Sequence, residues 1–159
     1  MSKCRIRAGC DRGAHVIRLE GDVRLVMCTA LNEYFQHMFA QANFLSVWVD
    51  VTEATGLDST TLGMLAKLAI QTHEKFGFKP AIFSTDPGID RLLQSMGFGQ
   101  LFEVRAGPCS ASCASEIPAR DSTEEEVRKR VIEAHRTLMG LNDANKVAFQ
   151  DLVRTLENY

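Results

Sequence analysis

Asp58, Ser59, Thr60 and Thr61 place one carboxylate and three hydroxyls in a row, where an apolar run gives way to a helical pattern. A carboxylate or hydroxyl ahead of a helix ordinarily caps a free backbone N–H, which is worth about 1 kcal/mol. Only one or two of the four can do that, so a hydroxyl is left over. A phosphate on Ser59 would be tolerated there, because the dipole and free N–H groups of a helix N-terminus favour negative charge. The fold need not change. The surface would, by gaining a strong charge beside Asp58, and a partner docking over this helix would meet repulsion and a desolvation cost. A second chemistry is a small enzyme or ligand-binding domain that uses Asp50, Asp58 and Ser59 around a pocket at the strand ends. No GxSxG elbow favours it.

Other chemistry is scarce. The chain has no GxxxxGK[ST] loop and no GxGxxG. His15, His37, His73 and His135 are scattered, without an HExxH. His73 and His135 fall on apolar stripes and read as boundary or core histidines with one satisfied nitrogen. Cys109 and Cys113 lack the further ligands that zinc requires, so neither a metal nor a cofactor is expected. Asp50 and Glu53 read as solvated loop carboxylates. The five cysteines are odd in number and irregularly spaced, which fits reduced thiols in a cytoplasmic protein better than a disulfide framework. A net charge of -2 gives no general attraction to nucleic acid or anionic membranes. No run reaches the roughly 18 apolar residues of a membrane span. Met1 to Arg7 is basic, but no apolar segment follows as in a secretory leader.

The elements that position these residues follow from periodicity. Residues 3 to 8 alternate as a short edge strand, and Asp11-Arg12-Gly13 signals a turn. His15 to Glu20 alternates again, and Val23 to Cys28 is a further strand or the extended entry to a helix. From Thr29, the expected N-cap, Leu31, Tyr34, Phe35, Met38, Phe39 and Ala42 form one helical stripe. Leu45 to Val51 is apolar throughout and reads as a central strand covered on both faces. Thr52 to Gly56 reads as a polar turn. A helix over about 59 to 76 follows, with Leu62, Leu65, Ala66, Ala69, His73 and Phe76 on one side and Gly77 ending it. Ala81 to Ser84 is a strand, Ile89 to Met96 a helix and Leu101 to Val104 a last strand.

Residues 106 to 121 are small, polar and proline-containing, and read as a linker or ordered loop. Ser122 and Glu125 have capping-box spacing and open a helix through Met139. Gly140 breaks it, and Asn142-Asp143 starts another. Strands alternating with helices imply an α/β fold with a largely parallel sheet interior.

At this point the chain resembles a known family. Val47-x-Val49-Asp50-Val51, followed by Leu57-Asp58-Ser59-Thr60-Thr61-Leu62-Gly63-x-Leu65, is similar to the signature of STAS domains, shared by sulfate transporters and anti-sigma factor antagonists. Val16-x-Arg18-Leu19-Glu20-Gly21-Asp22-Val23 resembles their preceding strand and turn, and Met96-Gly97-Phe98 with Phe102 their closing elements. The resemblance implies a mixed sheet of about 4–6 strands with helices mainly on one face. The domain would span residues 1–105, followed by a linker at 106–121 and a C-terminal helical extension at 122–159.

In function, the resemblance implies a non-enzymatic anti-sigma factor antagonist in a bacterial partner-switching pathway. Ser59 would be phosphorylated by an anti-sigma factor kinase and restored by a PP2C-type phosphatase, with Thr60 and Thr61 as alternative acceptors. The unphosphorylated form would sequester the anti-sigma factor. Asp58, Asp50, Glu53, Gly56, Leu57, Thr60, Thr61, Leu62 and Met64 would form the partner-binding and kinase-positioning surface. The protein would be a cytoplasmic monomer or weak homodimer, without nucleic-acid binding or membrane insertion. The alternative within the same fold is a constitutive scaffold of a transporter or lipid-trafficking complex, with Ser59 as a plain helix cap. Minimal antagonists lack a helical extension, so the tail's role is set apart from the resemblance.

Overall fold

Alternation of apolar and polar residues in the first strands builds a hairpin. β1 (Arg5–Asp11) and β2 (Ala14–Val23) pair antiparallel. The two connecting residues, Arg12 and Gly13, both have positive φ, at 53° and 88°. That is the pattern of a two-residue turn whose twist matches the strands it joins. The computed structural model describes residues 4–107, 109, 111 and 115–159. Residue 3 of the expected edge strand and Cys113 lie outside the described residues.

β2 is followed by a 3-10 turn (Leu25–Met27) and helix α1 (Cys28–Ala40). β3 (Ser46–Asp50), β4 (Ala54–Leu57), α2 (Ser59–Phe76), β5 (Ala81–Ser84), α3 (Pro87–Ser95) and β6 (Glu103–Ala106) come next. The chain then adds β7 (Ser115–Ile117), α4 (Glu124–Met139) and α5 (Asp143–Glu157). The sheet order is β6-β5-β3-β2-β1-β7, with β4 beside the far end of β2. β2, β3, β5 and β6 are mutually parallel, while β1 pairs antiparallel with both β2 and β7. The fold is therefore α/β with a seven-stranded mixed sheet.

Helices pack on one face. Ile17, Leu19, Val47, Val49 and Ile82 meet Leu31, Phe35, Leu62, Leu65, Ile89, Leu93, Ala134 and Leu138 in a single core. The opposite face carries Val16, Trp48 and Phe83, with Cys109 packed against them. The layers are those the periodicity implies, and local readings are corrected within them. Thr52 to Gly56 is not wholly a turn, because β4 starts at Ala54 and pairs with Gly21–Val23 of β2. The 106–121 linker contains β7, which covers the edge that β1 was expected to present. α1 starts at Cys28 with no side-chain cap, and Thr29 lies buried inside it. The capping box is one residue later than expected, formed by Thr123 and Glu126.

Candidate functional site

β3 runs parallel to β2, breaks off, and β4 resumes the pairing further along β2. Asp50 makes that interruption. Its Oδ1 accepts from the Thr52 backbone N–H at 2.9 Å and from the Thr52 hydroxyl at 2.7 Å. Its Oδ2 accepts from Arg18 Nε at 3.0 Å. Asp50 is only 1% exposed. It is therefore a buried ion-paired residue, not the solvated loop carboxylate expected from its place in the chain. It also points to the Trp48 side of the sheet, away from α2, because Val49 beside it faces the helices and side chains alternate along a strand.

β4 delivers the chain to the start of α2. Asp58 is the N-cap in extended conformation, and its Oδ1 accepts from the Thr61 N–H at 2.8 Å. Its Oδ2 also accepts from the Leu25 N–H at 2.7 Å. One carboxylate thus closes the helix and holds the 3-10 turn after β2 against it. Asp58→Ala removes both acceptors and should cost about 2 kcal/mol, the upper end for a cap. Chemical denaturation would check this, and a loss under about 0.5 kcal/mol would show that water replaces both bonds.

The three hydroxyls differ in surroundings. Thr60 and Thr61 are each 3% exposed, and Thr61 Oγ1 donates to the Val23 carbonyl at 3.3 Å. Ser59 is half-buried, and its Oγ lies 2.7 Å from Nε2 of His135 on α4. The other ring nitrogen, Nδ1, lies 2.7 Å from the Val131 carbonyl, one turn earlier. A carbonyl can only accept, so Nδ1 carries a proton. In the neutral ring Nε2 is then the acceptor for the Ser59 hydroxyl. Phe149 of α5 meets the His135 ring edge to face, with centroids 5.0 Å apart.

The first half of α2 crosses α4 on the same edge. A Cβ on Gly63 would lie 2.2 Å from the Ala134 carbonyl oxygen, so only a glycine lets the two backbones approach so closely. One turn further, Lys67 Nζ reaches Glu133 Oε1 at 3.1 Å. Ser59, Gly63 and Lys67 are spaced i, i+4, i+8 and form one stripe. The tail is fixed at both ends. Arg120 bridges Glu33 of α1 and Glu126 of α4, both at 2.7 Å. Glu126 is held below the usual carboxyl range, first by the Thr123 backbone N–H and then by Arg120. Asn145 Nδ2 donates to the carbonyls of Leu138 and Met96, at 2.9 and 3.0 Å.

Of the expected surface residues, Leu57, Leu62 and Met64 are buried in the core along with Thr60 and Thr61. Glu53 is exposed, and Gly56 lies against Asp22. Sequence reasoning did not assign a role at this site to His135, Gly63 or Lys67. His135 showed only as a histidine on an apolar stripe, and nothing local ties it to a serine so distant in the chain.

No protein-family model matches the chain, and no curated protein matches it at a significant level. A serine hydroxyl bonded to an imidazole whose second nitrogen is fixed has the geometry of a nucleophile and its base. Here His135 is 2% exposed and α4 lies over the pair. Grooves of about 560 and 470 Å³ run along α4 and the end of α5 and include neither Ser59 nor His135. The arrangement sets a tail helix over the serine at the start of α2. Among the described residues, no group of three or more His, Cys, Asp or Glu is placed to hold a metal, and no helix is long and apolar enough to cross a membrane.

Proposed function

We propose that this protein is a phosphorylation-switched protein-binding module. It acts as an anti-sigma factor antagonist of the STAS kind, whose unphosphorylated form sequesters an anti-sigma factor in a bacterial partner-switching pathway. The observation that carries this reading is the division of labour at the start of α2. Asp58 does the capping, and Thr60 and Thr61 are buried. Ser59 is thus the hydroxyl of the run left for modification, at a helix end that favours added negative charge.

In this reading a serine kinase transfers the phosphoryl group, a PP2C-type phosphatase removes it, and the protein itself catalyses nothing. It works in the cytoplasm without a cofactor. The mixed sheet, with its helices on one face and the DST sequence at a strand-to-helix step, fits the architecture that the motif implies.

Phosphopeptide mapping of the protein from its native cell should find phosphate on Ser59. Pull-down with the unphosphorylated chain should recover a kinase-type partner, and Ser59→Asp should weaken that capture by about 100-fold or more through charge repulsion and desolvation. Equal capture by Ser59→Ala and Ser59→Asp would overturn the switch and favour the constitutive-scaffold reading.

A further inference from the structure

We propose that phosphate on Ser59 and docking of α4 on α2 exclude one another. The tail helix then leaves when Ser59 is modified and reseats when the phosphate is removed. This inference rests on reading Ser59 as the phosphate acceptor.

Space supplies the first argument. Phosphorylation forms an Oγ–P bond from the γ-phosphoryl of a nucleoside triphosphate, breaks the bond to the diphosphate, and sends the hydroxyl proton to a base. The new oxygens lie about 2.5 Å from Oγ, and a nitrogen contact adds about 2.8 Å beyond them. The His135 nitrogen now stands 2.7 Å from Oγ, where those oxygens must go. Turning the serine away instead leaves Nε2 without a donor, in a ring that is 2% exposed.

Chemistry supplies the second. With Nδ1 donating to Val131, the neutral ring presents a lone pair to Ser59. In its neutral form the ring sets an acceptor against a group that is all acceptors and carries about two negative charges, beside the Asp58 carboxylate, so the contact survives only if Nε2 takes up a proton. The nearby cations on this stretch are already engaged. Lys67 pairs with Glu133 at 3.1 Å, and Arg130 pairs with the same carboxylate at 3.0 Å.

Rigidity closes the remaining route. α4 cannot slide along α2 to make room, because Gly63 admits the Ala134 backbone at only one position along the stripe and Asn145 ties the α4–α5 junction to Met96. A packed interface of this kind has discrete seats, so a group that does not fit unseats the helix as a unit.

Hydrogen exchange read by mass spectrometry on the full chain, with phosphoserine encoded at position 59, tests this without a kinase or a partner. Amides of Glu124–Met139 should exchange about tenfold faster or more, while β3, β5 and the second half of α2 stay within about twofold. Ser59→Ala leaves Nε2 without its donor but adds neither bulk nor charge, and should speed exchange in α4 clearly less than phosphoserine does. Unchanged or slower exchange in α4 would overturn the proposal, since it would mean that His135 and Arg130 clamp the phosphate in place. Loss of protection across the whole sheet would overturn it too. Absence of phosphate on Ser59 in the native cell would instead sink the functional reading, and the exchange result would stand apart from it.

Discussion

Asp50→Ala should lower stability by about 3 kcal/mol, a fall in Tm of about 6–12 °C for a chain of this size. Asp50 is 1% exposed and Arg18, its partner, is 20% exposed. Removing the carboxylate leaves a mostly buried guanidinium without this counter-ion and takes an acceptor from both the N–H and the hydroxyl of Thr52. The Ala111 carbonyl, 3.3 Å from Arg18 Nη2, supplies dipole but no charge. Asp50→Asn keeps an oxygen for Thr52 but loses the charge and sets an NH2 donor against the Arg18 Nε–H, so it should recover only the Thr52 part of the loss. Calorimetry on the three proteins would check the order. If Asp50→Ala shifts Tm by less than about 2 °C, solvent reaches Arg18 and the pair behaves as a surface one.

Gly63→Ala should act on the tail and spare the sheet. Alanine in a helix is favoured over glycine by about 1 kcal/mol, so α2 by itself gains. Its new Cβ would lie 2.2 Å from the Ala134 carbonyl oxygen and 2.5 Å from the carbonyl carbon. These are backbone atoms, so no rotamer change relieves the contact. Overpacking of this kind costs about 1–3 kcal/mol, and here it falls on α4 docking. Trypsin should then cleave within residues 120–136 about tenfold faster than in the unaltered chain, with unfolding of the sheet little changed. Adding Ala134→Gly should not restore protection, since the collision is not with the Ala134 side chain. Cleavage at the original rate in Gly63→Ala would mean that the helices part without loosening.

The layers of the fold were readable because they depend on local period. The stripe from Leu31 to Phe39 and the apolar run through Val47 and Val49 each face the core as their spacing requires. What escaped was set by pairing. β4 and β7 are only four and three residues long. They are strands because β2 and β1 present open edges to them, and residues such as Thr55-Gly56 carry a turn's composition. The capping box slipped by one residue because Ser122/Glu125 and Thr123/Glu126 both satisfy the same spacing, and only the geometry of entry chooses between them. At the site, the excess of hydroxyls before α2 was visible. Asp58 caps through the Thr61 N–H, but that its other oxygen also holds Leu25 follows from how β2 enters the 3-10 turn, and that His135 meets Ser59 follows from how the tail folds back. Neither contact leaves a local trace.

Six residues, 118–123, join β7 to α4. A helix held by so short a tether faces its seat at an effective concentration of about millimolar, whatever the amount of protein in the cell. Any partner that takes the Ser59–Gly63–Lys67 stripe must outcompete that fixed supply. The chain then sets its own response threshold, and lengthening the tether would lower it without altering a single contact.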